Sequence, residues 1–207
     1  MSHYSGIAER KETSQKDLTC LAAHVSAQMG SGNFITIIHA GNSDYIRLLH
    51  LLIVELLSRK RRVYVFDYQR RIKIVYLQQL LTQRTGNVSG VLRKLVLRII
   101  LDENHALDEI LRLQQHTPSK RRPPGFFLVD PSGLFGRLRG GVKQSAEGLQ
   151  FQYEAAQIFA QKGYAVLISD HGGRQFHRIE SVVPAQLAFH SNLILHFLPR
   201  KIFLSHS

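Results

Sequence analysis

Short, wholly apolar segments alternate along the chain with longer segments in which apolar residues recur at helical spacing. The short segments have the length and composition of buried strands, and those between them have the period of helices. Strands are predicted at 34–40, 63–66, 126–130, 164–169, 192–197 and 202–204, and helices at 44–60, 73–83, 107–115 and 145–162. A helix followed by a strand is predicted within 91–100, but the spacing of the apolar residues does not show where the helix ends and the strand begins. This alternation predicts an α/β domain with a mainly parallel sheet.

The beginning of the chain follows a different pattern. Residues 1–17 are polar and are predicted to form a flexible segment, while 18–207 are predicted to form one domain. The first helix of that domain begins at Leu18, and its apolar stripe continues to Met29 before Gly30. Cys20 is assigned to this stripe as a buried cysteine, in preference to a reactive thiol.

Composition narrows the possible partners. The 207 residues include 27 Lys and Arg against 15 Asp and Glu, a net charge of +12, which favours a polyanionic partner such as nucleic acid or an anionic membrane surface. A basic protein without such a partner is the alternative. One cysteine permits no internal disulfide and no cysteine zinc cluster, so an intracellular setting is expected, cytoplasmic, in the nucleoid or nuclear. No apolar run is long enough to span a bilayer, and no membrane partner is expected.

A phosphate-binding loop is expected between the strand at 34–40 and the helix at 44–60, but its lysine is missing. Gly41, Asn42 and Ser43 form a short turn, and Asp44 occupies the place where a cation is needed. In a functional loop of this kind, backbone N–H groups and a lysine hold phosphates while a hydroxyl holds magnesium. A carboxylate in the first turn stabilises the helix but repels phosphate. A degenerate nucleotide site without a cofactor is therefore predicted.

The order of these parts resembles the core of the RecA/RadA recombinase superfamily. The similarity rests mainly on arrangement and covers residues from about 18 to 204. Segment 31–38 resembles the family's entry into the P-loop strand, and 126–132, with Asp130, resembles its Walker B strand. Segments 164–171 and 184–195 resemble the next two conserved stretches of the family. The resemblance implies a RecA-like three-layer core, with a mainly parallel sheet flanked by helices.

The same comparison implies lost activity. Segment 63–67 resembles the family strand that leads to a glutamate which activates water, and Gln69 stands in its place. No F-x-x-A segment, which family members use to polymerise, occurs in the chain, so filaments of the chain alone are not expected, whereas a dimer or hetero-oligomer is open. Asp130 is either a remnant of the nucleotide site or a residue that caps the next turn.

Two loops carry the candidate DNA contacts. In the recombinase family, the loops after the Walker B strand and after the next strand contact DNA. Arginine matches phosphate oxygens, glycine allows close approach of the backbone, and an aromatic ring stacks on unpaired bases. Solvated surface loops are the alternative. The candidates in the first loop are Phe135, Arg137, Arg139 and Lys143, and those in the second are Arg174, Phe176 and Arg178.

Other sites are less favoured by the sequence. No neighbouring carboxylate or cysteine completes a metal-ligand set with His171 and His177, so no metal is expected. Arg121 and Arg122 form either a third phosphate contact or a solvated loop.

The sequence therefore predicts a non-catalytic, DNA-binding accessory subunit in homologous recombination or DNA repair. Its expected partners are DNA, single-stranded or duplex, and a recombinase or RecA-like paralogue. The alternative is a regulatory pseudo-ATPase, similar to KaiC-like members of the superfamily, that binds protein and not DNA. An ATPase with an unorthodox loop is disfavoured because no cation faces the phosphates.

Overall fold

The computed structural model describes residues 15–39, 43–116, 118, 121–131, 146–171, 192–198 and 201–205. Each predicted strand and helix is present there, with bounds close to those predicted. The first helix begins at Gln15, before the expected start, and the ambiguous segment contains a short helix and a strand. The elements are α1 (Gln15–Gln28), β1 (Phe34–His39), α2 (Ser43–Ser58), β2 (Val63–Asp67), α3 (Ile74–Thr82), α4 (Val88–Leu92), β3 (Leu95–Ile99), α5 (Glu103–Gln114), β4 (Gly125–Val129), α6 (Ala146–Gln161), β5 (Ala165–His171), β6 (Leu193–Leu198) and β7 (Lys201–Ser205).

The strands of the described residues form one seven-stranded sheet in the order β3-β2-β4-β5-β1-β6-β7. The first six are parallel, and β7 pairs antiparallel with β6. Helices cover both faces. The predicted fold class, a RecA-like three-layer α/β core with a mainly parallel sheet, is confirmed.

Two apolar clusters, one on each face of the sheet, pack the sheet against two layers of helices. Along β2, Val63 and Val65 pack with α1, α2 and α3, while Tyr64 and Phe66 pack with α5 and α6. All residues of β1, β2 and β4 are buried, as expected for parallel strands covered on both faces. Helix α2 is buried on nearly every side, as its sequence predicts, because it lies between the sheet and its neighbouring helices.

The expectation of a buried Cys20 is wrong. The buried apolar residues of the first helix are Leu18, Ala22, Val25 and, just after its end, Met29, which share one face, whereas Cys20 is exposed. Cys20 lies two residues from Leu18, a rotation of about 200° around the helix axis. The apolar residues beside it in sequence therefore do not place it on the buried face.

A buried histidine in α2 connects this helix to the start of α3. The Nδ1 atom of His50 lies 2.7 Å from the backbone oxygen of Ile46, and its Nε2 accepts a hydrogen bond of 2.9 Å from the backbone N–H of Lys73. Because Nε2 accepts, the ring is neutral and its proton is on Nδ1. Burial lowers the pKa of His50 below its ordinary 6.5, although the bond to Ile46 and the charge of Asp67 oppose the shift.

This arrangement predicts lower stability in mild acid. As the pH falls below 6.5, the unfolded chain takes up a proton at His50 before the folded chain does. The free energy of unfolding should then fall with pH, by at most about 1.4 kcal/mol per pH unit from this group. Urea unfolding of the wild type and His50→Leu between neutral pH and about pH 5 would measure it. The variant should have the flatter pH dependence, and equal slopes would contradict the prediction.

Candidate functional site

Several polar side chains meet where the carboxyl ends of three strands approach the first turn of α2. His39 is the last residue of β1, Ser169 lies in β5, and Asp130 follows β4 directly. Because β5 lies between β1 and β4, these three residues come from adjacent strands. Tyr45, in the first turn of α2, closes the group from the helical side. We call His39, Tyr45, Arg71, Asp130 and Ser169 the Asp130 cluster.

Both oxygens of the Asp130 carboxylate have partners. Oδ1 lies 2.7 Å from Nε2 of His39 and 3.5 Å from the hydroxyl of Ser169. Oδ2 accepts a hydrogen bond of 2.8 Å from the Tyr45 hydroxyl and one of 3.4 Å from Nε of Arg71. The side chains of His39 and Asp130 are fully buried. The carboxylate is thus enclosed by groups of the same chain.

The backbone at Asp130 places its carboxylate among these partners. Its φ is +56°, in the left-handed region, which aspartate adopts more readily than most residues. Its N–H donates to the backbone oxygen of Ser169 at 2.9 Å, extending the β4–β5 pairing by one residue. The rings of His39 and Tyr45 stack with their centroids 3.5 Å apart and their planes 6° from parallel. Stacking and hydrogen bonding together fix both rings against the carboxylate.

The partners of Asp130 keep it ionised. Burial alone would raise its pKa, but the hydrogen bond and charge of His39, then Tyr45 and Arg71, outweigh burial and lower the pKa below its ordinary 3.8. Because a carboxylate only accepts hydrogen bonds, the hydrogen between the two groups is on Nε2 of His39. Burial, followed by the charge of Asp130, raises the pKa of Tyr45, so this residue keeps its hydrogen and donates it.

Arg71 connects the cluster to Gln69, one of the residues of the predicted degenerate site. Nη2 of Arg71 donates to Oε1 of Gln69 at 2.7 Å, and the Arg71 side chain is 37% exposed. The loop that carries both residues is held by Asp67, whose carboxylate accepts from the N–H groups of Gln69 at 3.1 Å and Ile72 at 2.7 Å. Gln69 therefore takes part in a structural contact with an arginine.

The remaining residues of the predicted degenerate site are only partly described. Asp44 lies in the first turn of α2, as the sequence predicts, and its Oδ1 is 4.0 Å from Nη1 of Arg47. Ser43, which is predicted to precede the helix, is its first residue. Gly41 and Asn42 lie outside the described residues. Residues 40–42 lie between His39 and Tyr45 in the sequence, and both of these residues bind Asp130.

The predicted DNA-binding residues all lie outside the described part of the chain. The strands that precede the two loops, β4 and β5, are parallel neighbours, so both loops leave the same edge of the sheet. His171 ends β5, and His177 is also outside the described residues. The undescribed loop residues are Phe135, Arg137, Arg139, Lys143, Arg174, Phe176 and Arg178.

Sequence reasoning identified Asp130 but missed its partners. The sequence pattern places His39 in an apolar strand and Tyr45 in an apolar helix, and it does not distinguish Arg71 or Ser169 from other polar residues. A histidine at the end of a buried strand was the one available signal, since a buried polar side chain needs a partner.

The described contacts of the Asp130 cluster connect β1, β4 and β5 with the first turn of α2. The Ser169 hydroxyl contacts Asp130, and the His39 ring is stacked on Tyr45. Among the described residues, no group of three or more histidine, cysteine or acidic side chains could hold a metal ion.

Comparison with known proteins does not assign a family. No protein-family model matches the chain, and a search of curated proteins gives no significant match. Within the described residues, no helix is both long and apolar enough to cross a membrane.

Proposed function

We propose that this chain is a nucleotide-independent, RecA-like accessory subunit that binds DNA in homologous recombination or DNA repair. The observation that carries the proposal is the enclosed carboxylate of Asp130. His39 and Tyr45, which lie on either side of the undescribed residues 40–42 in the sequence, are hydrogen-bonded to the side chain that resembles the Walker B aspartate. These contacts occupy both oxygens of the carboxylate and support a site that holds no nucleotide.

A magnesium nucleotide would meet three obstacles at this turn. Magnesium would have to displace His39 and Tyr45 from the Asp130 oxygens. The phosphates would meet the carboxylate of Asp44 in the first turn of α2, where a P-loop supplies lysine. Gln69, hydrogen-bonded to Arg71, lacks the carboxylate that activates water. These features together support a pseudo-ATPase.

DNA is the partner that charge and topology favour. The chain has a net charge of +12, and both candidate loops follow the carboxyl ends of adjacent parallel strands, where sheets of this kind bind ligands. The loops supply arginine, glycine and one aromatic residue each. A recombinase or RecA-like paralogue is the proposed protein partner, because ATP sites of that superfamily lie between subunits and a chain without its own P-loop can complete one.

The first test is nucleotide binding. Titration of the purified chain with labelled ATP and magnesium should give no saturable binding at millimolar concentrations and no phosphate release, because no cation faces the phosphates. A P-loop ATPase measured in the same assay is the positive control. Saturation together with hydrolysis would contradict the pseudo-ATPase assignment.

The second part of the proposal is tested by DNA binding without nucleotide. Fluorescence anisotropy with a labelled duplex and a labelled single strand in moderate salt should show saturable binding of at least one of them. Absence of binding to both, combined with capture of a purified recombinase paralogue, would replace this proposal with the protein-binding, KaiC-like alternative.

A further inference from the structure

A second concentration of cations lies at the amino-terminal edge of the sheet. Three neighbouring parallel strands, in the order β3-β2-β4, are each preceded by a pair of basic residues. The strands are five residues long, so this edge lies roughly 16 Å from the carboxyl edge where the Asp130 cluster is. We call the six residues the amino-edge surface: Arg93 and Lys94 before β3, Lys60 and Arg62 before β2, and Arg121 and Arg122 before β4.

The backbone of this surface is fixed by the sheet. The oxygen of Lys94 accepts a hydrogen bond of 2.9 Å from the N–H of Val63, and that of Arg62 accepts one of 2.9 Å from Gly125. The Lys94 ammonium lies 3.5 Å from the backbone oxygen of Lys60. The strand pairing therefore extends into the basic segments and sets the spacing between them.

The cations of the amino-edge surface are not paired with described carboxylates, unlike several other arginines of the fold. Glu55 pairs with Arg59 and Arg84, and Glu109 pairs with Arg98 and Arg112. Among the described residues, no carboxylate pairs with any of the six, and all except half-buried Lys94 are exposed. The surface thus brings like charges together without a counter-charge.

Stabilisation of helix ends accounts for only part of this charge. Lys60 and Arg93 follow the last turns of α2 and α4, where a cation is favourable. Arg121 and Arg122 follow no helix end, because α5 ends at Gln114. Arg121 and Arg122 therefore do not stabilise a helix end.

The backbone conformation of Lys60 is a second, independent observation that supports a role for this surface. Its φ is +60°, and the helix ends in a Schellman motif in which Lys60 N–H donates to Leu57 at 2.9 Å and Arg61 N–H to Leu56 at 3.1 Å. Glycine is the residue usually found at this position because it adopts a positive φ without strain. A lysine here tolerates strain and adds a charge to a surface that is already positive.

We propose that the amino-edge surface binds the phosphate backbone of a nucleic acid, separately from the two loops at the opposite edge. Adjacent strands lie about 4.8 Å apart and each brings two cations, while each strand of a duplex carries a charge about every 3.4 Å. The surface thus has about one cation per 2.4 Å, more than enough to face each phosphate of one nucleic-acid strand. With the loops of the proposed function, the chain would hold two segments of nucleic acid on opposite edges.

A nucleic acid fits better than a membrane or an acidic protein. None of the large apolar side chains that are exposed in the described residues belongs to the basic segments before β2, β3 and β4. The surface therefore offers no apolar group for insertion into lipid and no apolar anchor for a protein interface.

The test compares two double variants with equal loss of charge. Arg93→Gln with Arg122→Gln removes two cations of the amino-edge surface, and Arg98→Gln with Arg112→Gln, the control, removes two that pair with Glu109. The log-log salt dependence of duplex binding should flatten by about two units in the first variant and remain unchanged in the control. Equal effects in both variants would overturn the proposal.

A third variant separates binding from folding. Lys60→Gly removes the backbone strain of a positive φ, so the midpoint of thermal unfolding should stay the same or rise. The log-log salt dependence of duplex binding should flatten by about one unit, because one cation is lost. Unchanged DNA binding in this more stable variant would count against the surface.

Loop variants and vesicles distinguish the remaining outcomes. If Arg137→Ala with Arg139→Ala changes nothing while the amino-edge variant weakens binding, the loop assignment fails and the amino-edge surface stands. If instead the loop variant weakens DNA binding and the amino-edge variant does not, the loop assignment stands and the proposal for the amino-edge surface fails. Retention on phosphatidylserine vesicles that depends on Arg93 and Arg122, without an effect on DNA, would identify a membrane ligand and overturn the proposal.

Discussion

Replacement of Asp130 by alanine is expected to lower the free energy of unfolding by about 3 to 5 kcal/mol, because it removes a buried carboxylate that accepts several hydrogen bonds while the donors stay buried. The change removes one acceptor each from His39, Tyr45 and Arg71. Alanine also tolerates the left-handed backbone at this position less well than aspartate. Urea denaturation at neutral pH would measure the loss.

Two controls separate the charge from the surrounding packing. Ser169→Ala removes the longest contact of the cluster, at 3.5 Å, and should cost at most about 1 kcal/mol. Asp130→Asn keeps the shape and the backbone preference but not the charge, so its loss should lie between those of the other two variants. A loss below about 1 kcal/mol for Asp130→Ala would show that the cluster does not anchor this edge of the sheet.

The buried parallel strands of the fold could be predicted from the sequence for a physical reason. Parallel strands covered on both faces are apolar at every position, so β4 is recognisable from Phe126 to Val129 without any knowledge of its neighbours. The edge strand β3 is only partly buried, and its sequence lacks that continuous signal. Its boundary with α4 therefore could not be predicted.

The partners of Asp130 could not be predicted from local sequence patterns, because they lie far from it in the sequence. Asp130 is 91 residues from His39, 85 from Tyr45 and 59 from Arg71. His39 and Asp130 come together because β1 and β4 lie on either side of β5 in the sheet. Local pattern indicates that a carboxylate follows a buried strand, but the strand order decides which groups surround it.

The amino-edge surface was hidden for a similar reason. Its three basic segments are separate in sequence, and each resembles an ordinary helix end or solvated loop. They become one surface when β3, β2 and β4 pair in parallel register. The chain can therefore present cations at both edges of its sheet, and variants of the loops must be compared with variants of the amino edge.

The loop variants carry the largest expected effect on DNA binding. Replacing Arg137 and Arg139, or Arg174 and Arg178, by alanine should weaken binding to all sequences alike, since phosphate contacts position a protein without reading bases. Each lost contact should flatten the log-log salt dependence by roughly one unit on duplex and slightly less on a single strand. Anisotropy titrations over a range of salt concentrations would measure both quantities, with the Arg98 and Arg112 double variant as the control.

Variants of the aromatic residues in the same loops should distinguish binding of single strands from binding of duplex. Stacking contributes about 1 to 3 kcal/mol per base only where bases are unpaired, so Phe135→Ala and Phe176→Ala should weaken binding to single strands and leave duplex binding unchanged. Equal losses on both forms would point to damage to the loops and not to stacking. If the arginine double variants leave both affinity and salt slope unchanged, the loops are solvated surface. DNA binding that persists would then belong to the amino edge, and its absence would favour the protein-binding alternative.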